Sequence, residues 1–484
     1  MKSFIKNFSY TLVSNFVSLL VSTLVILIVP KLIGLGEYGY WQLFIFYSAY
    51  VGFLHFGWND GIYLRYGGKE YKDLDKRKFF SQFYMLIILQ LLIATVVLIF
   101  TKYFISDSNR IFIICMTVLC MIIVNVRYML LYILQSTNRI KEYAKITIAD
   151  RILYSILILS FLLVGIREYQ LLVIADLIGK GLSLVYAMYI CKDIVFRKIS
   201  SFYFDFKEVL ENTSVGIKLM FANIASMLII GIIRVGIERT WDVSTFGKIS
   251  LTLNVCNLIM IFINAVGIIM FPLLRRTDEE KLANIYITIK DILIIVLWGT
   301  LIAYYPLKFI LSAWLPKYSD SLVYMALVFP MCVYEGKMAL LINTFLKTMR
   351  KEKLILKINL ISFGLSLIFT LITTSILNNL NLAILSIVII LAFRCILSEI
   401  YISRILMVPV YKDVILELIM VSVFMVVGWF INSFFGVLIY LSAYLIYLFI
   451  KRKDIFETFR NVRLIISSKD ITQMENVRIT RSIL

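Results

Sequence analysis

Long apolar stretches recur along this chain from one end to the other. Each has about 20 residues or more, enough for a helix to cross the ~30 Å hydrocarbon core of a bilayer. A backbone inside lipid must pair all its N–H and C=O groups internally, so these stretches are predicted to be α-helices. With 61% hydrophobic residues in 484, a soluble fold would expose large apolar patches. The sequence therefore predicts an all-α integral membrane protein.

The apolar stretches predict about fourteen transmembrane helices. The first begins after two lysines and lacks a small-residue cleavage site, so we interpret it as a retained span and not as a signal peptide. The predicted spans are residues 8–33, 40–63, 79–104, 111–134, 146–166, 170–191, 215–237, 248–273, 287–312, 321–345, 355–377, 382–403, 414–432 and 433–450.

Basic residues concentrate in alternate loops. The loop between the second and third predicted spans is rich in lysine and arginine, whereas residues 378–381 contain neither. Because lysine and arginine accumulate on the cytoplasmic side of a membrane protein, both termini are predicted to be cytoplasmic, and an even number of spans agrees. The net charge of +19 follows this loop pattern, which argues against a nucleic-acid partner. Residues 453–484 are predicted to form a basic cytoplasmic tail.

Short motifs repeat between the two halves of the chain. Asn15–Leu20 (NFVSLL) resembles Asn223–Leu228 (NIASML), and Tyr38-Gly39 matches Phe246-Gly247 at the same offset. Two six-helix bundles of the same orientation would explain this repeat, and transporters commonly bind their substrate between such halves. The predicted domains are residues 1–200 and 201–412 for the bundles and 413–452 for two extra helices.

Five basic residues lie inside predicted spans, where a charge costs roughly 3 kcal/mol or more and usually faces a protein interior or a water-filled cavity. They are the substrate-cavity candidates Arg127, Lys180, Arg234, Lys337 and Arg394. A positive cavity suits an anionic substrate, and the planar guanidinium fork of arginine matches phosphate oxygens.

Five acidic residues also lie in predicted spans, and they are candidates for ion coupling or for pairing with these cations: Asp60, Asp150, Asp176, Glu335 and Glu399. Asp176 and Lys180 are four apart, so local neutralisation is the alternative to cavity lining. Arg234 has Glu238 one turn away. His55, the single histidine, is interpreted as a helix-interface residue, with a proton relay as the alternative. The sequence contains no metal-ligand spacing or nucleophile motif, so neither a metal site nor an enzyme is predicted.

Several motifs together resemble the bacterial polysaccharide transporter family. These are the O-antigen, capsule and teichuronic-acid flippases of the multidrug/oligosaccharidyl-lipid/polysaccharide (MOP) exporter superfamily. The similarity extends over roughly residues 5–450. The motifs that carry it are Asn15–Leu20, Leu35–Trp41 (LGEYGYW), Leu134–Arg139 (LQSTNR), Phe271–Leu274 (FPLL) with Asp278–Lys281 (DEEK), and Lys347–Arg350 (KTMR).

The resemblance implies two pseudo-symmetric six-helix bundles, like those of multidrug and toxic compound extrusion (MATE) transporters, plus two peripheral helices. It implies transfer of undecaprenyl-pyrophosphate-linked oligosaccharide from the inner to the outer leaflet of the bacterial cytoplasmic membrane by alternating access. A proton or sodium gradient or the membrane potential would drive transfer, without a cofactor. The implied partners are the lipid-linked oligosaccharide, membrane lipid, and a glycan polymerase with other surface-polysaccharide assembly proteins.

Three other functions remain as alternatives. A lipid II-type precursor flippase would share the mechanism and differ in its cargo. A multidrug or cation antiporter of the same superfamily would be expected to have cavity acids, whereas basic residues outnumber acids at clearly internal positions here. A membrane glycan polymerase generally needs catalytic residues on a large outer loop, and no predicted outer loop exceeds about a dozen residues.

Overall fold

All regular structure in the part of the chain that the structure describes is helical. The computed structural model describes residues 2–274, 279–431 and 434–467. Eleven helical stretches, some of them formed by two or more successive helices, are long and apolar enough to cross a membrane, or twelve if a bent pair at 435–458 counts as one span. Of the remaining predicted spans, the first contains a shorter apolar helix, Phe16–Leu32, and the second is broken. The predicted all-α membrane fold is confirmed.

The chain forms two compact units, Met1–Leu251 and Thr252–Leu484. The predicted bundle boundary at residue 200 describes a sequence repeat, and it stays a prediction. The helices of the first unit are α1 (Lys2–Leu32), α2 (Leu35–Ser48), α3 (Trp58–Arg65), α4 (Lys76–Phe104), α5 (Ser108–Ser136), α6 (Ile140–Leu163), α7 (Tyr169–Ile190), α8 (Lys192–Val195), α9 (Phe206–Thr240) and the beginning of α10 (Val243–Leu274).

Helix α5 is central to the first unit, because it packs against α2, α3, α4, α6 and α7. Its residues Met129, Leu130, Ile133 and Leu134 are completely buried. They belong to an apolar cluster that also includes Trp58 of α3. Helix α3 itself packs along α9. Asn125 and Arg127 on α5 are therefore enclosed by protein, away from lipid.

The second unit is built around α18, which packs against α14, α15 and α17. Two π-helical segments, Met338–Ile342 and Leu371–Ile376, follow α15 and α17 directly. The helices after α10 are α11 (Glu279–Ile302), α12 (Tyr304–Trp314), α13 (Ser319–Leu322), α14 (Met325–Val328), α15 (Met331–Lys337), α16 (Asn343–Thr348), α17 (Glu352–Thr370), α18 (Leu380–Leu406), α19 (Tyr411–Phe430), α20 (Phe434–Ile450) and α21 (Arg452–Ser467).

The predicted continuous span 40–63 is wrong in one respect, because the chain leaves the helix between α2 and α3. A 3₁₀ turn occupies Val51–Phe53. Phe56 and Gly57 then adopt φ angles of 53° and 83°, a left-handed conformation that an α-helix cannot accommodate and that glycine adopts without penalty. Span 321–345 is likewise a series of short helices, and Pro330, which lacks a backbone N–H, immediately precedes α15.

Three features of the sequence lie outside the described residues: the side chain of Asn15, the side chains of the motif at 271–281, and the tail from residue 468 onward. The described part of the predicted tail is helix α21, which contacts α11 and α20.

Candidate functional site

Arg127 and Asp150 form a buried ion pair between α5 and α6. Their side chains approach to 2.9 Å, from Nη1 to Oδ2, and both residues are at least nine-tenths buried. The same Nη1 donates a hydrogen bond to Ser183 Oγ at 3.1 Å. Neither helix contains both members, so sequence spacing alone did not indicate this pair. The carboxylate compensates the charge of the guanidinium within the protein.

Lys180 and Asp176 form an ion pair one turn apart on α7. Lys180 Nζ donates to Asp176 Oδ2, lies 3.6 Å from Cys120 Sγ and lies 5.7 Å from the centre of the Phe44 ring. This is the local neutralisation that the spacing of four residues allows.

Lys337 and two glutamates form a buried cluster in the second unit. Lys337 Nζ lies 2.6 Å from Glu399 Oε2 of α18 and 2.5 Å from Glu417 Oε1 of α19. All three side chains are at most 2% exposed. Sequence analysis missed Glu417, although its position inside the predicted span 414–432 was the signal that would have found it.

Arg394 pairs with Glu335 at 2.9 Å and donates from Nε to Asn359 Oδ1 at 3.0 Å. The pairing is therefore crossed relative to sequence proximity: Glu335 binds Arg394 instead of its near neighbour Lys337, and Glu399 binds Lys337 instead of Arg394. The periodicity of an isolated helix cannot predict this, because each pair joins two helices.

Arg234 on α9 differs from the other four candidates, since no carboxylate lies within ion-pair distance of it in the described ranges. Its guanidinium donates from Nη2 to Ser250 Oγ at 2.9 Å. It lies 4.5 Å from the Phe46 ring centre and 5.2 Å from that of Phe246, which favours the cation electrostatically. Glu238 pairs with Arg110 at 2.8 Å and not with Arg234. Arg234 Nε is buried without a hydrogen-bond partner.

Asp60 lies beside the break between α2 and α3. His55 Nδ1 accepts a hydrogen bond from the Gly57 N–H at 3.0 Å, and His55 Nε2 is 3.7 Å from Asp60 Oδ2. The unwound backbone has its own donors, because Asn125 binds the carbonyl of Val51 at 2.9 Å. Gln90 similarly binds the carbonyl of Leu54 at 3.0 Å. Irregular backbone at membrane depth is tolerated where protein groups satisfy it in this way.

Helices α3 and α9 approach closely through glycines. A Cβ atom added to Gly61 would lie 1.8 Å from the Asn212 carbonyl oxygen, and one added to Gly216 would lie 1.9 Å from that of Gly57. Gly57 and Gly61 are four residues apart, and small residues at this spacing allow the backbones of two membrane helices to come into contact. The contact between α3 and α9 therefore depends on glycine at these positions.

Charged residues join the ends of α3 and α9 that are predicted to be cytoplasmic. Arg65 contacts Glu208 at 2.6 Å and Glu211 at 2.5 Å, and Lys78 contacts Glu208 at 3.1 Å. Tyr66 Oη donates to Glu208 at 2.7 Å. Burial and the adjacent Glu208 carboxylate raise the pKa of the Tyr66 hydroxyl, so it remains a donor.

Comparison with known proteins shows the fold. No family model and no curated protein matches this chain. A solved structure of a multidrug resistance MATE transporter of the MOP superfamily, inward-facing, matches with a TM-score of 0.60 at 12% identity, covering 81% of this chain and 98% of its own. The lipid II flippase MurJ, inward closed, matches with a TM-score of 0.59 at 14% identity, covering 93% of this chain and 100% of its own. An outward-facing MATE transporter matches with a TM-score of 0.57 at 12% identity, covering 83% of this chain and 95% of its own.

This chain has the MATE/MurJ type of transporter fold. It is a multi-pass membrane protein, as the apolar helices require. The polysaccharide-transporter resemblance, the bacterial inner-membrane location and the cytoplasmic termini stay predictions. So does cavity lining by the five basic residues, although four of them have a carboxylate partner that offsets the positive charge on which that prediction was based.

Proposed function

We propose that this chain is a flippase that moves undecaprenyl-pyrophosphate-linked oligosaccharide from the inner to the outer leaflet by alternating access. The observation that carries the proposal of a flippase, as opposed to a multidrug transporter, is the match to the lipid II flippase, which extends over 93% of this chain, compared with 81% for the multidrug transporter of similar TM-score. The motifs at Leu35–Trp41 and Leu134–Arg139 support the same class of cargo. A flippase moves its substrate without changing covalent bonds, so the chain is not proposed to be an enzyme.

The cargo needs a polar path for one end only. A pyrophosphate with a hydrated glycan enters hydrocarbon at great cost, because its charges lose their hydration, whereas the prenyl chain can stay in lipid. Arg234, which has no carboxylate partner in the described ranges, can present its planar donors to phosphate oxygens. A site with one uncompensated guanidinium would hold the anion more weakly than five such groups would, which favours release on the outer side.

Two other cargoes remain as second candidates. The match to the lipid II flippase favours a lipid II-type precursor, whose transport would use the same phosphate contact. The matches to multidrug transporters favour an organic cation. An organic cation would have to approach carboxylates, and Asp150, Asp176, Glu335 and Glu399 are each already bound to a basic residue.

The proposed setting is the bacterial cytoplasmic membrane with both termini inside. The proposed partners are a glycan polymerase and other surface-polysaccharide assembly proteins, and the proposed energy source is an ion gradient or the membrane potential. The basic loops and the described helix α21 (Arg452–Ser467) support the orientation, because basic amphipathic segments bind anionic inner-leaflet lipid.

The test is transfer of a fluorescent lipid-linked oligosaccharide in proteoliposomes. Wild type is compared with Arg234→Ala and with Arg239→Ala, a control on the same helix whose side chain is 65% exposed. Loss of a charge-assisted hydrogen bond, about 1.5–3 kcal/mol, predicts that Arg234→Ala lowers the rate roughly ten- to hundredfold, while Arg239→Ala retains it.

The outcomes separate the proposal from its alternatives. Transfer of lipid II alone would replace the glycan cargo by a cell-wall precursor. Export of organic cations without any lipid transfer would refute the flippase proposal. Full activity of Arg234→Ala would leave the function standing and remove Arg234 from the substrate path.

A further inference from the structure

The cluster of Lys337, Glu399 and Glu417 contains two carboxylates and one ammonium group. It joins α15, α18 and α19, and all three side chains are at most 2% exposed. With both glutamates ionised, the cluster would have a net charge of −1 in a region without solvent. An uncompensated buried charge costs several kcal/mol, so a stable cluster requires one further positive charge.

Among the residues whose side chains the structure describes, the charged groups near the cluster do not supply that charge. Asp413, one turn before Glu417 on α19, is already bound by Lys290 and by Lys451. Arg394 of α18 is bound by Glu335.

The other titratable groups facing the cluster are neutral hydroxyls and a thiol: Tyr286 of α11, Tyr334 of α15, Cys395 of α18 and Tyr447 of α20. Among the described residues, no group of three or more metal-ligating side chains is present. Neither a neighbouring base nor a multivalent metal site therefore balances the extra carboxylate.

Each carboxylate of the cluster has one oxygen that accepts no hydrogen bond. Glu399 Oε1 and Glu417 Oε2 are both buried and have no hydrogen-bond partner. The second oxygen of each carboxylate accepts from Lys337. A buried polar oxygen without a partner costs about 1–3 kcal/mol. One proton added to either free oxygen removes the net charge and converts an unsatisfied acceptor into a donor.

We propose that the Lys337–Glu399–Glu417 cluster binds one exchangeable proton and is the proton-binding site of the transport cycle. Binding takes a proton from water and forms one O–H bond on a glutamate. Release returns the proton to water, and no other bond changes. The proton-bound cluster is neutral and the proton-free cluster carries one negative charge, so the two states differ in how strongly the carboxylates attract Lys337.

The position of Lys337 connects this charge change to the backbone. Lys337 is the last residue of α15, and the π-helical segment Met338–Ile342 follows it immediately. Single π-helical turns inside helices frequently occur at functional sites. A change in the electrostatic attraction between Lys337 and the two carboxylates therefore acts at a point where the helix already departs from regular geometry. This connection to transport rests on the proposed function, whereas the proton site itself does not.

The first experiment measures the proton without any transport. Infrared difference spectra of the purified full chain in lipid nanodiscs are recorded between mildly acidic and mildly alkaline pH. Wild type should show the carbonyl band of a protonated carboxylic acid that disappears as pH rises. Glu417→Gln should lose the band and still fold, because Lys337 and Glu399 remain as a neutral pair. Glu335→Gln, which changes a carboxylate in the neighbouring pair, is the matched control and should keep it.

Two results would overturn the proton site: absence of the band in wild type, or its persistence in both Glu417→Gln and Glu399→Gln. Sodium-dependent thermal stability that Glu417→Gln abolishes, in a wild type without the band, would assign the site to sodium instead.

The second experiment measures the coupling in proteoliposomes with a pH gradient. One coupled proton changes site occupancy by at most about tenfold per pH unit, so the wild-type rate should follow the gradient within that limit, and Glu417→Gln should not respond. An unchanged response in Glu417→Gln would refute coupling while leaving the infrared result intact. Absence of any lipid transfer by wild type would refute the proposed function, and the infrared band would still decide whether the proton site exists.

Discussion

The ion pair of Arg127 and Asp150 offers the sharpest test of how this protein accommodates charge. Asp150→Asn keeps the shape of the side chain and removes its negative charge. The guanidinium would then remain buried without a compensating negative charge, with Ser183 Oγ at 3.1 Å and the amide oxygen of the asparagine as neutral acceptors. Breaking a buried pair in this way costs about 3–5 kcal/mol.

The expected loss of stability follows from the burial of the Arg127–Asp150 pair and not from the distance between its atoms. Glu70 and Lys72 lie 2.8 Å apart, slightly closer than the 2.9 Å between Arg127 and Asp150. Their side chains, however, are 68% and 77% exposed. An exposed pair contributes about 0–1 kcal/mol. Glu70→Gln is therefore the matched control, and the expected contrast between the two single variants is at least about 2 kcal/mol.

The assay measures the free energy of unfolding of the purified protein in one detergent. Tryptophan fluorescence is recorded as the denaturant concentration rises. The double variant Arg127→Leu with Asp150→Leu removes both charges together. It should be less destabilised than Asp150→Asn, because apolar residues can replace a buried ion pair at little cost, whereas removal of one partner leaves a buried charge.

A loss below about 1 kcal/mol for Asp150→Asn, equal to that of the exposed pair, would refute this reasoning. It would mean that water reaches Arg127, as expected for a residue that lines a substrate cavity. The same measurement therefore separates the structural role of Arg127 from the role predicted from sequence.

Three further predictions concern the first unit and the start of α10. Gly216→Ala should displace α3 from α9 and cost about 1–3 kcal/mol, because its Cβ would lie 1.9 Å from a backbone carbonyl oxygen. The destabilisation should appear as loss of monodisperse protein in detergent. Gly364→Ala, with open space around it, should remain monodisperse. Asn125→Leu should cost about 1–3 kcal/mol in denaturant unfolding, since it removes one donor from the Val51 carbonyl and leaves the buried Gln90 Oε1 without its Asn125 donor; an unchanged midpoint would contradict this. Asp242→Ala should cost about 1 kcal/mol, because the Asp242 carboxylate accepts from the Thr245 N–H at 2.6 Å. Hydrogen bonds from the Thr245 hydroxyl and from the Thr245 backbone N–H hold the pKa of Asp242 below its usual range. Their contribution is therefore present above the unfolded-state pKa and is lost as pH falls through the folded-state pKa. A pH-independent difference between wild type and Asp242→Ala would contradict this.

The helical spans could be predicted from sequence because crossing a membrane is a local property. A stretch of apolar residues must pair its own backbone groups, whatever its neighbours are. The positions of α4 through α7 thus follow the predicted spans closely. The break between α2 and α3 was not predicted, because the Asn125 and Gln90 amides that stabilise it come from other helices.

The sequence by itself determined that this chain crosses the membrane many times, and it identified the basic residues Arg127, Lys180, Lys337 and Arg394 inside the apolar stretches. Only the tertiary structure decided which carboxylate each one binds. The spacing rule found Asp176 for Lys180, since those two share a helix. The other three pairs join different helices. The free energy of a buried charge depends on the nearest opposite charge in space, and in these pairs that charge is distant along the chain.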